Sequence, residues 1–472
     1  MKILLTGATG YIGKRLLPVL VKNGHHVICC VRDVKRFKPP ESIQSYITVI
    51  QVDFLDEKTL ANIPKDIDAA YYLIHSMSTS NAYEKLEETT AKNFRNALNK
   101  TTVQHVIYLS GIVNEDSLSK HLKSRKNVEN IISEGAYKCT TLRAGIIIGS
   151  GSASFEIIRD LVEKLPIMIA PKWLNTKCQP IGIKDVLTFL EKSLMNEKVY
   201  DQNFDIGGPN ILSYKEMLLE FAQFRKLNRR IYTIPIMTPR LSSYWLYFVT
   251  STSYNLATSL VDSMKIEVVC RDTKINELLN VAPEKYKKTL DRAFKKIDAN
   301  QIVSSWKDSQ VSGVKRFNTS DFIDVPTFGC FQDVRQKEIV SKEAVINKIW
   351  SIGGTNGWYS ANFLWKIRGF IDKIFGGVGL RRGRTNATSL AAGDALDFWR
   401  VLYANKSEGR LLLFAEMKLP GEAWLEFKIK DNKCIQTATF RPHGILGRLY
   451  WYAIVPLHGI VFKGMINEIT QH

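Results

Sequence analysis

The sequence predicts an α/β protein: a doubly wound parallel sheet in the first half, followed by a separate α+β domain on an antiparallel sheet. Three observations predict it. Short β-branched or aromatic runs alternate with longer amphipathic stretches through about residue 150, the pattern of strands covered by helices on both faces. Three glycines spaced G-x-x-G-x-x-G mark the first strand-to-helix junction. Beyond about residue 330 strand-like segments are joined by turn residues and end in a long apolar helical stretch. At 472 residues the chain exceeds what one ordinary core covers, so more than one domain is expected.

Taken in order, "KILLTGA", "HHVICCVR", "ITVIQVDF", "DAAYYLIHS", "HVIYLSG" and "CTTLRAGIIIG" read as strands, with "GKRLLPVLVKNG" and "AYEKLEETTAKNFRNALNK" as intervening helices. Pro18 is expected to kink or interrupt the first helix. Residues 151–300 are looser and read as a lobe of one domain, 1–305, the substrate lobe of the resemblance described below. Within this lobe 241–261 carry no charge, but their many Ser, Thr and Asn favour a buried or substrate-covering segment over a bilayer span. The polar stretch 306–325 reads as a linker, and 326–472 as the second domain. There Ala423, Leu425, Phe427 and Ile429 alternate with Trp424, Glu426 and Lys428, so one strand face is expected to be buried. Asp431 to Lys433 suit a hairpin turn.

Hydrophobic residues make up 45% and charged residues 24%, the proportions of a folded globular protein. The net charge is +19, but the cations are dispersed and no zinc-finger, RNP-type or basic-zipper pattern occurs, so nucleic acid is not the expected partner. A phosphate-bearing cofactor or an anionic membrane surface suits that charge equally well. None of the seven cysteines forms a CxxC pair or a metal-ligand cluster, and no metal is expected; Cys29 and Cys30 read as buried strand thiols. The first apolar run opens at Ile3 without a charged leader, so a reducing, cytoplasmic setting is expected.

The motif with most chemistry is "ILLTGATGYIGKRLL". Gly7, Gly10 and Gly13 let the backbone turn tightly against a pyrophosphate, and the following helix offers it free N–H groups. Thr9, Tyr11 and Ile12 fill the same cofactor-binding loop. Arg32 ends the second strand where the adenosine ribose is read; an arginine there holds a 2′-phosphate, which favours NADP, while Asp33 keeps NAD open. Asp53 ends the third strand, placed for the adenine edge or for capping a helix at Asp56 to Leu60. In "DSLSKHLKSRKNVENII", Leu118, His121, Leu122, Arg125 and Ile132 share one helical stripe, which puts an imidazole and a guanidinium on an inward face.

The pieces "TGATGYIG", "VRD", "VDFLD", "LSG", "LRAGIIIGSGS", "QPIGIKDV" and "FDIGG" resemble the extended and atypical (NmrA-like) branch of the short-chain dehydrogenase/reductase superfamily, over about the first 300 residues. The resemblance implies a Rossmann domain in which Asp53 meets adenine, Ser110 orients a substrate carbonyl, and Asp185 is structural. It also implies a Tyr-x-x-x-Lys pair after "LSG", where this chain has His121-x-x-x-Arg125. His121 then reads as a proton donor kept neutral by Arg125, as a grip on the cofactor, or as a satisfied buried histidine. His75, after the fourth strand and near the cofactor edge, is the rival donor, with loop solvation as its plainer role. "FGGVGLRRGR", Phe375 to Arg384, reads as a charged turn before a phosphate site.

The last 150 residues resemble an uncharacterised domain fused to such reductases, itself similar to START-like, polyketide-cyclase-like helix-grip proteins that bind hydrophobic small molecules. "GDALDFWRV", "AEMKLPGEAWLEF" and "FRPHGILGRLYWYAIVPLH" carry this match. Together the resemblances imply an NADPH-dependent oxidoreductase acting on a hydrophobic carbonyl, enone or quinone. The alternatives are a non-catalytic NADPH-binding sensor or assembly factor, and a nucleotide-sugar epimerase-like enzyme, which the missing Tyr weakens.

Overall fold

Seven short strands make one parallel sheet in the first half of the chain: β1 (Lys2–Leu5), β2 (His26–Val31), β3 (Ile47–Gln51), β4 (Ala69–Tyr72), β5 (His105–Gly111), β6 (Lys138–Ala144) and β8 (Gln202–Ile206), with β7 (Ile167–Pro171) outside it. Their order is β3-β2-β1-β4-β5-β6-β8, so the direction of winding reverses between β1 and β4. The computed structural model divides into two units, Met1–Lys315 and Arg316–His472. It describes residues 1–34, 37, 39, 41–75, 83–113, 120–234, 264–298, 325, 330–375, 377, 379, 384, 389–442 and 444–471. The uncharged stretch 241–261 and all of the expected linker but Val325 lie outside these.

Consecutive residues of each strand face opposite ways, and both ways are covered. Ile3, Leu5, Cys29 and Tyr71 join α1 (Gly13–Lys22) and α5 (Ile183–Ser193) in one core. Leu4, Cys30, Tyr72 and Tyr108 join α2 (Tyr83–Leu98) and α3 (Lys120–Ser133) in another. Cys29 and Cys30 are therefore buried on opposite faces, and burial pushes the Cys29 thiol up to about 12. α1 is helical through Pro18.

Two sequence expectations are corrected. "CTTLRAGIIIG" is not one strand: β6 stops at Ala144, and Ile147–Ile148 pairs separately with Ile181–Gly182. The "FDIGG" region, assigned to the lobe, supplies the seventh strand of the main sheet. In β8 the buried Asp205 pairs with Arg271 (Nε to Oδ2 2.6 Å), so a carboxylate sits where a strand pattern asks for an apolar residue.

The lobe has its own core. Phe155 of α4 (Ala153–Lys164), Phe221 of α6 (Tyr214–Phe224) and Phe294 of α8 (Tyr286–Asp298) meet with ring centroids 5.4–5.8 Å apart. The short α7 (Lys274–Leu278) and β9 (Arg230–Ile234), paired with β7, complete the lobe. Asp185 on the first turn of α5 accepts a hydrogen bond from the Glu284 amide (3.0 Å).

The second unit is a six-stranded antiparallel sheet, in order β10 (Phe331–Glu338), β15 (Lys433–Pro442), β14 (Gly421–Lys430), β13 (Arg410–Ala415), β12 (Trp399–Asn405) and β11 (Ala395–Leu396). Asp431 and Asn432 join β14 to β15 with φ of 50° and 60°, the geometry of a two-residue hairpin turn. Leu425 and Phe427 are buried in the main core as the alternation predicts. Trp424 corrects the other half of that expectation: it is buried on the opposite face with Leu402 and Leu412. α9 (Lys342–Ile349), α10 (Asn362–Ile374) and α11 (Gly444–Thr470) pack with this sheet. Trp451 of α11 stacks between Phe331 and Phe440, with centroids 5.3 and 5.8 Å away. Arg384 donates to the carbonyls of Ile352 and Trp350 at the end of α9, so it closes a helix end as a charged turn would; Arg381 and Arg382 lie outside the described residues.

Candidate functional site

The carboxyl ends of β1, β4 and β5 stand side by side where the winding reverses, the place at which open α/β sheets leave a crevice. Thr6 stitches two of them: its Oγ1 donates to the Tyr71 carbonyl (2.9 Å) and accepts from the Leu73 amide (3.1 Å). Gly7 follows with φ +65°, and a Cβ there would lie 2.7 Å from the Leu73 oxygen. The Gly10 amide donates to the Gly7 carbonyl (2.8 Å), and a Cβ on Gly13 would overlap that same oxygen. Gly7 is held in the left-handed region, and Gly13 has no room for a side chain.

α1 then begins with Ile12 as its N-cap, without a side-chain cap and without an acidic residue in the first turn. The Lys14 and Arg15 amides donate to the carbonyls of Gly10 and Ile12, and the positive dipole end of the helix faces the turn. This cradle fits the pyrophosphate of a dinucleotide. Thr9 is exposed on the turn, while Tyr11 lies beneath the Arg15 guanidinium, 4.1 Å from ring centre to Cζ. Burial raises the Tyr11 hydroxyl to about 12, against the opposing Arg15 charge.

Arg32 directly follows β2 and is exposed, with Asp33 half-buried beside it; Lys35 and Arg36 lie outside the described residues. Charge reversal tests their role. Arg32→Glu is expected to weaken NADPH binding about tenfold and to leave NADH binding within about twofold, read by fluorescence titration of both nucleotides. Asp53 makes a local turn: Oδ1 accepts from the Leu55 amide (3.0 Å). The cap of the following short helix is Asp56, which accepts from the Lys58 amide (3.1 Å), so the capping role proposed for Asp53 belongs to its neighbour.

Behind the crevice, α2 and α3 bring together a cluster of polar groups. His75, just past β4, has Nδ1 3.1 Å from Oε1 of Glu87 on α2, and Ser124 of α3 donates to Oε2 of the same carboxylate. Arg125 runs to the end of β5, where a Cβ on Gly111 would lie 3.1 Å from Nη1. Burial and then the Arg125 charge lower the His75 pKa, against the pull of Glu87. Burial pushes Glu87 up, but hydrogen bonds from His75 and Ser124 and the charges of His75 and Arg125 outweigh it and hold the carboxyl below its usual value. An ionised Glu87 beside Nδ1 fixes the tautomer, so a second proton on His75 goes to Nε2. Ser110 is buried near the end of β5 and shares a hydrogen bond with Tyr108.

The sequence-derived site residues thus divide. Gly7, Thr9, Gly10, Tyr11, Ile12 and Gly13 form one turn, and Ser110, Arg125 and His75 gather on the neighbouring strand ends. His121 is on the first turn of α3, its side chain outside the described residues; His75 lies near enough to feel the Arg125 charge. Of the expected inward stripe, Ile132 is buried and Arg125 half-buried toward Gly111, and Ser124, Val128, Glu129 and Ile131 are buried with them on α3. Glu87 and Ser124 went unnoticed in the sequence. Glu87 was legible by spacing, since it shares the stripe of Ala91, Phe94 and Leu98 on α2.

Residues 7–148 match a family model described as NAD(P)H-binding, and residues 329–465 match one described as a protein of unknown function (DUF2867). Divinyl chlorophyllide a 8-vinyl-reductase, chloroplastic, of Arabidopsis thaliana is 23% identical over 226 residues, which are 44% of this chain and 54% of the relative. The same enzyme of Cucumis sativus is 25% identical over 223 residues, 44% of this chain and 52% of the relative. The chain therefore spans about half the length of these curated relatives. An isoflavone reductase homolog of Arabidopsis thaliana is 33% identical over 82 residues, 16% of this chain and 26% of the relative.

Among solved structures, the triphenylmethane reductase of Citrobacter sp. superposes with a TM-score of 0.51 at 15% identity, over 62% of this chain and 100% of that one. The NADPH-dependent quinone oxidoreductase of Escherichia coli, complexed with NADPH, gives 0.50 at 16% over 62% and 99%. At such identities the likeness is one of fold. The first unit has a Rossmann-type fold whose residues 7–148 match the NAD(P)H-binding family.

Proposed function

We propose that the protein is an NADPH-dependent reductase of hydrophobic, conjugated acceptors (a carbonyl, an enone or a quinone), with His75 handling the proton. The observation that carries this reading is that the glycine cradle and the His75–Glu87–Ser124–Arg125 cluster stand at the carboxyl ends of the neighbouring strands β1, β4 and β5. NADPH, when bound, supplies a hydride. The names of the similar reductases and of the quinone oxidoreductase support an acceptor of this kind.

In this reading the glycine turn and the start of α1 hold the pyrophosphate, Arg32 selects the 2′-phosphate, and Ser110 orients the acceptor oxygen. The imidazolium of His75 gives its Nε2 proton to the reduced acceptor. Glu87 supports that cation and Arg125 opposes it, which keeps the proton easily lost. The second unit binds or delivers the apolar substrate as a helix-grip domain.

Rapid mixing of the NADPH-loaded protein with a panel of quinones and enones tests this. The rate is expected to fall as pH rises through a midpoint below the ordinary histidine value, because the protonated form is the donor and its pKa is lowered. Glu87→Gln should move that midpoint lower still, and His75→Asn should slow oxidation on the order of 100-fold with NADPH affinity unchanged. If His121→Asn slows it and His75→Asn does not, the donor is His121. Tight NADPH binding without oxidation by any acceptor sinks the enzyme reading in favour of a sensor.

A further inference from the structure

We infer that the carboxyl-terminal unit docks on an anionic lipid bilayer through the outward faces of α10 and α11. This stands independently of the reductase reading. α10 is built inside out. Its inward side holds Trp365, Gly369 and Asp372; Asp372 is 0% exposed and accepts hydrogen bonds from the amides of Gly379 (2.7 Å) and Lys418 (2.6 Å). Its outward side carries Phe363, Ile367, Phe370, Ile371 and Ile374, spaced as one helical stripe, and Phe375 extends it. Phe363, Phe370 and Phe375 are 63%, 60% and 73% exposed. Scattered apolar residues on a surface need no explanation, but a whole stripe opposite a buried carboxylate points to an apolar partner.

α11 continues the surface. Trp451, Val461, Phe462, Met465 and Ile466 face the core, whereas Leu446, Leu449, Tyr452, Leu457 and Ile460 face outward and are exposed. The two helices are neighbours: Trp365 meets Phe462 at 6.3 Å. Arg368 of α10 also donates to the carbonyl of Lys418 (2.9 Å), in the loop whose Pro420 carbonyl lies against Gly447 of α11.

Charge selects the partner. α10 contributes Lys366 and Lys373, with its single acid turned inward against Arg368, and α11 contributes Arg448 and Lys463. No acidic residue occurs from 443 to 467. An apolar stripe edged by cations, with no acid before Glu468 on α11, suits acyl chains beneath anionic headgroups. A second copy would set the same cations against each other. Leu446–Thr470 is long and apolar enough to cross a membrane, yet its inward side is held by the sheet through the Trp451 stack. α10, with 13 residues, is shorter than the ~20 a span needs. The helices therefore lie in the interface.

The test is co-sedimentation of the full-length protein with vesicles of phosphatidylcholine alone and of phosphatidylcholine mixed with phosphatidylserine. Binding to the anionic vesicles is expected to be at least about tenfold stronger and to weaken with salt. Phe370→Glu with Ile374→Glu should abolish it, and Lys366→Glu with Lys373→Glu should weaken it about tenfold or more. These exposed changes should leave circular dichroism and NADPH titration unchanged. Absent binding, or equal binding by the wild type and the Phe370→Glu/Ile374→Glu variant, overturns the inference. So does a variant that only converts a dimer to monomer in sedimentation velocity, which assigns the face to self-association.

Discussion

Gly13→Ala is expected to weaken NADPH binding by at least about 100-fold, roughly 2.7 kcal/mol, because the added methyl has no room. Its carbon would overlap the Gly7 carbonyl oxygen and lie 2.9 Å from the Ala8 Cα, both rigid backbone. The Gly7 carbonyl is the acceptor for the Gly10 amide, so pushing it aside undoes the turn that presents the start of α1 to the pyrophosphate. Overpacking a buried junction also costs about 1–3 kcal/mol of stability. Gly24→Ala is the control: φ is +79° there, but nothing lies within 4 Å of the added carbon. It should cost about 1 kcal/mol through backbone strain and leave NADPH affinity untouched. Fluorescence titration and denaturant unfolding of both variants decide the matter. Near-wild-type affinity in Gly13→Ala would remove the glycine turn from the cofactor site.

Legibility followed how much of each interaction was local in sequence. The glycine turn could be read because it needs only Gly7, Gly10 and Gly13 within seven residues, and the first six strands because burial on both faces leaves apolar runs. β8 was missed for a physical reason: Asp205 in its middle is balanced by Arg271, 66 residues away, so no nearby residue reveals the pair. The cluster behind the crevice failed in a similar way. Spacing flagged Arg125, and the structure brings it to the strand ends. The same spacing placed Ile132 on the packed face of α3, where Ser124, Val128 and Glu129 join it. That His75 comes near Arg125 depends on how α2 packs against α3, a tertiary fact that also brings Glu87 to His75 across twelve positions.

The opposite end of the same sheet should govern stability at acid pH. His105 opens β5, fully buried: its Nδ1 accepts from the Met195 amide (3.1 Å), and Nε2 lies 2.9 Å from Thr140 Oγ1. The Thr140 hydroxyl donates to the Val199 carbonyl (2.8 Å), so Nε2 must be the ring donor and the imidazole is locked neutral. A proton on Nδ1 would face an N–H group. Burial accordingly lowers the His105 pKa to about 4, against the opposing Asp201 charge. A base whose folded pKa lies below its unfolded value contributes stability that is present above about pH 6.5 and lost as pH falls toward 4. The loss from His105 should reach about 2 kcal/mol by pH 5 and about 3 kcal/mol below pH 4. Urea unfolding of the full chain between pH 7.5 and 5 reads this before most carboxylates titrate. His105→Gln, whose amide can accept and donate along similar directions, should be less stable at neutral pH and lose most of that slope. An unchanged slope in the variant would move the acid sensitivity to another buried imidazole. His458 of the second unit, also held at about 4 by burial, is then the residue to replace.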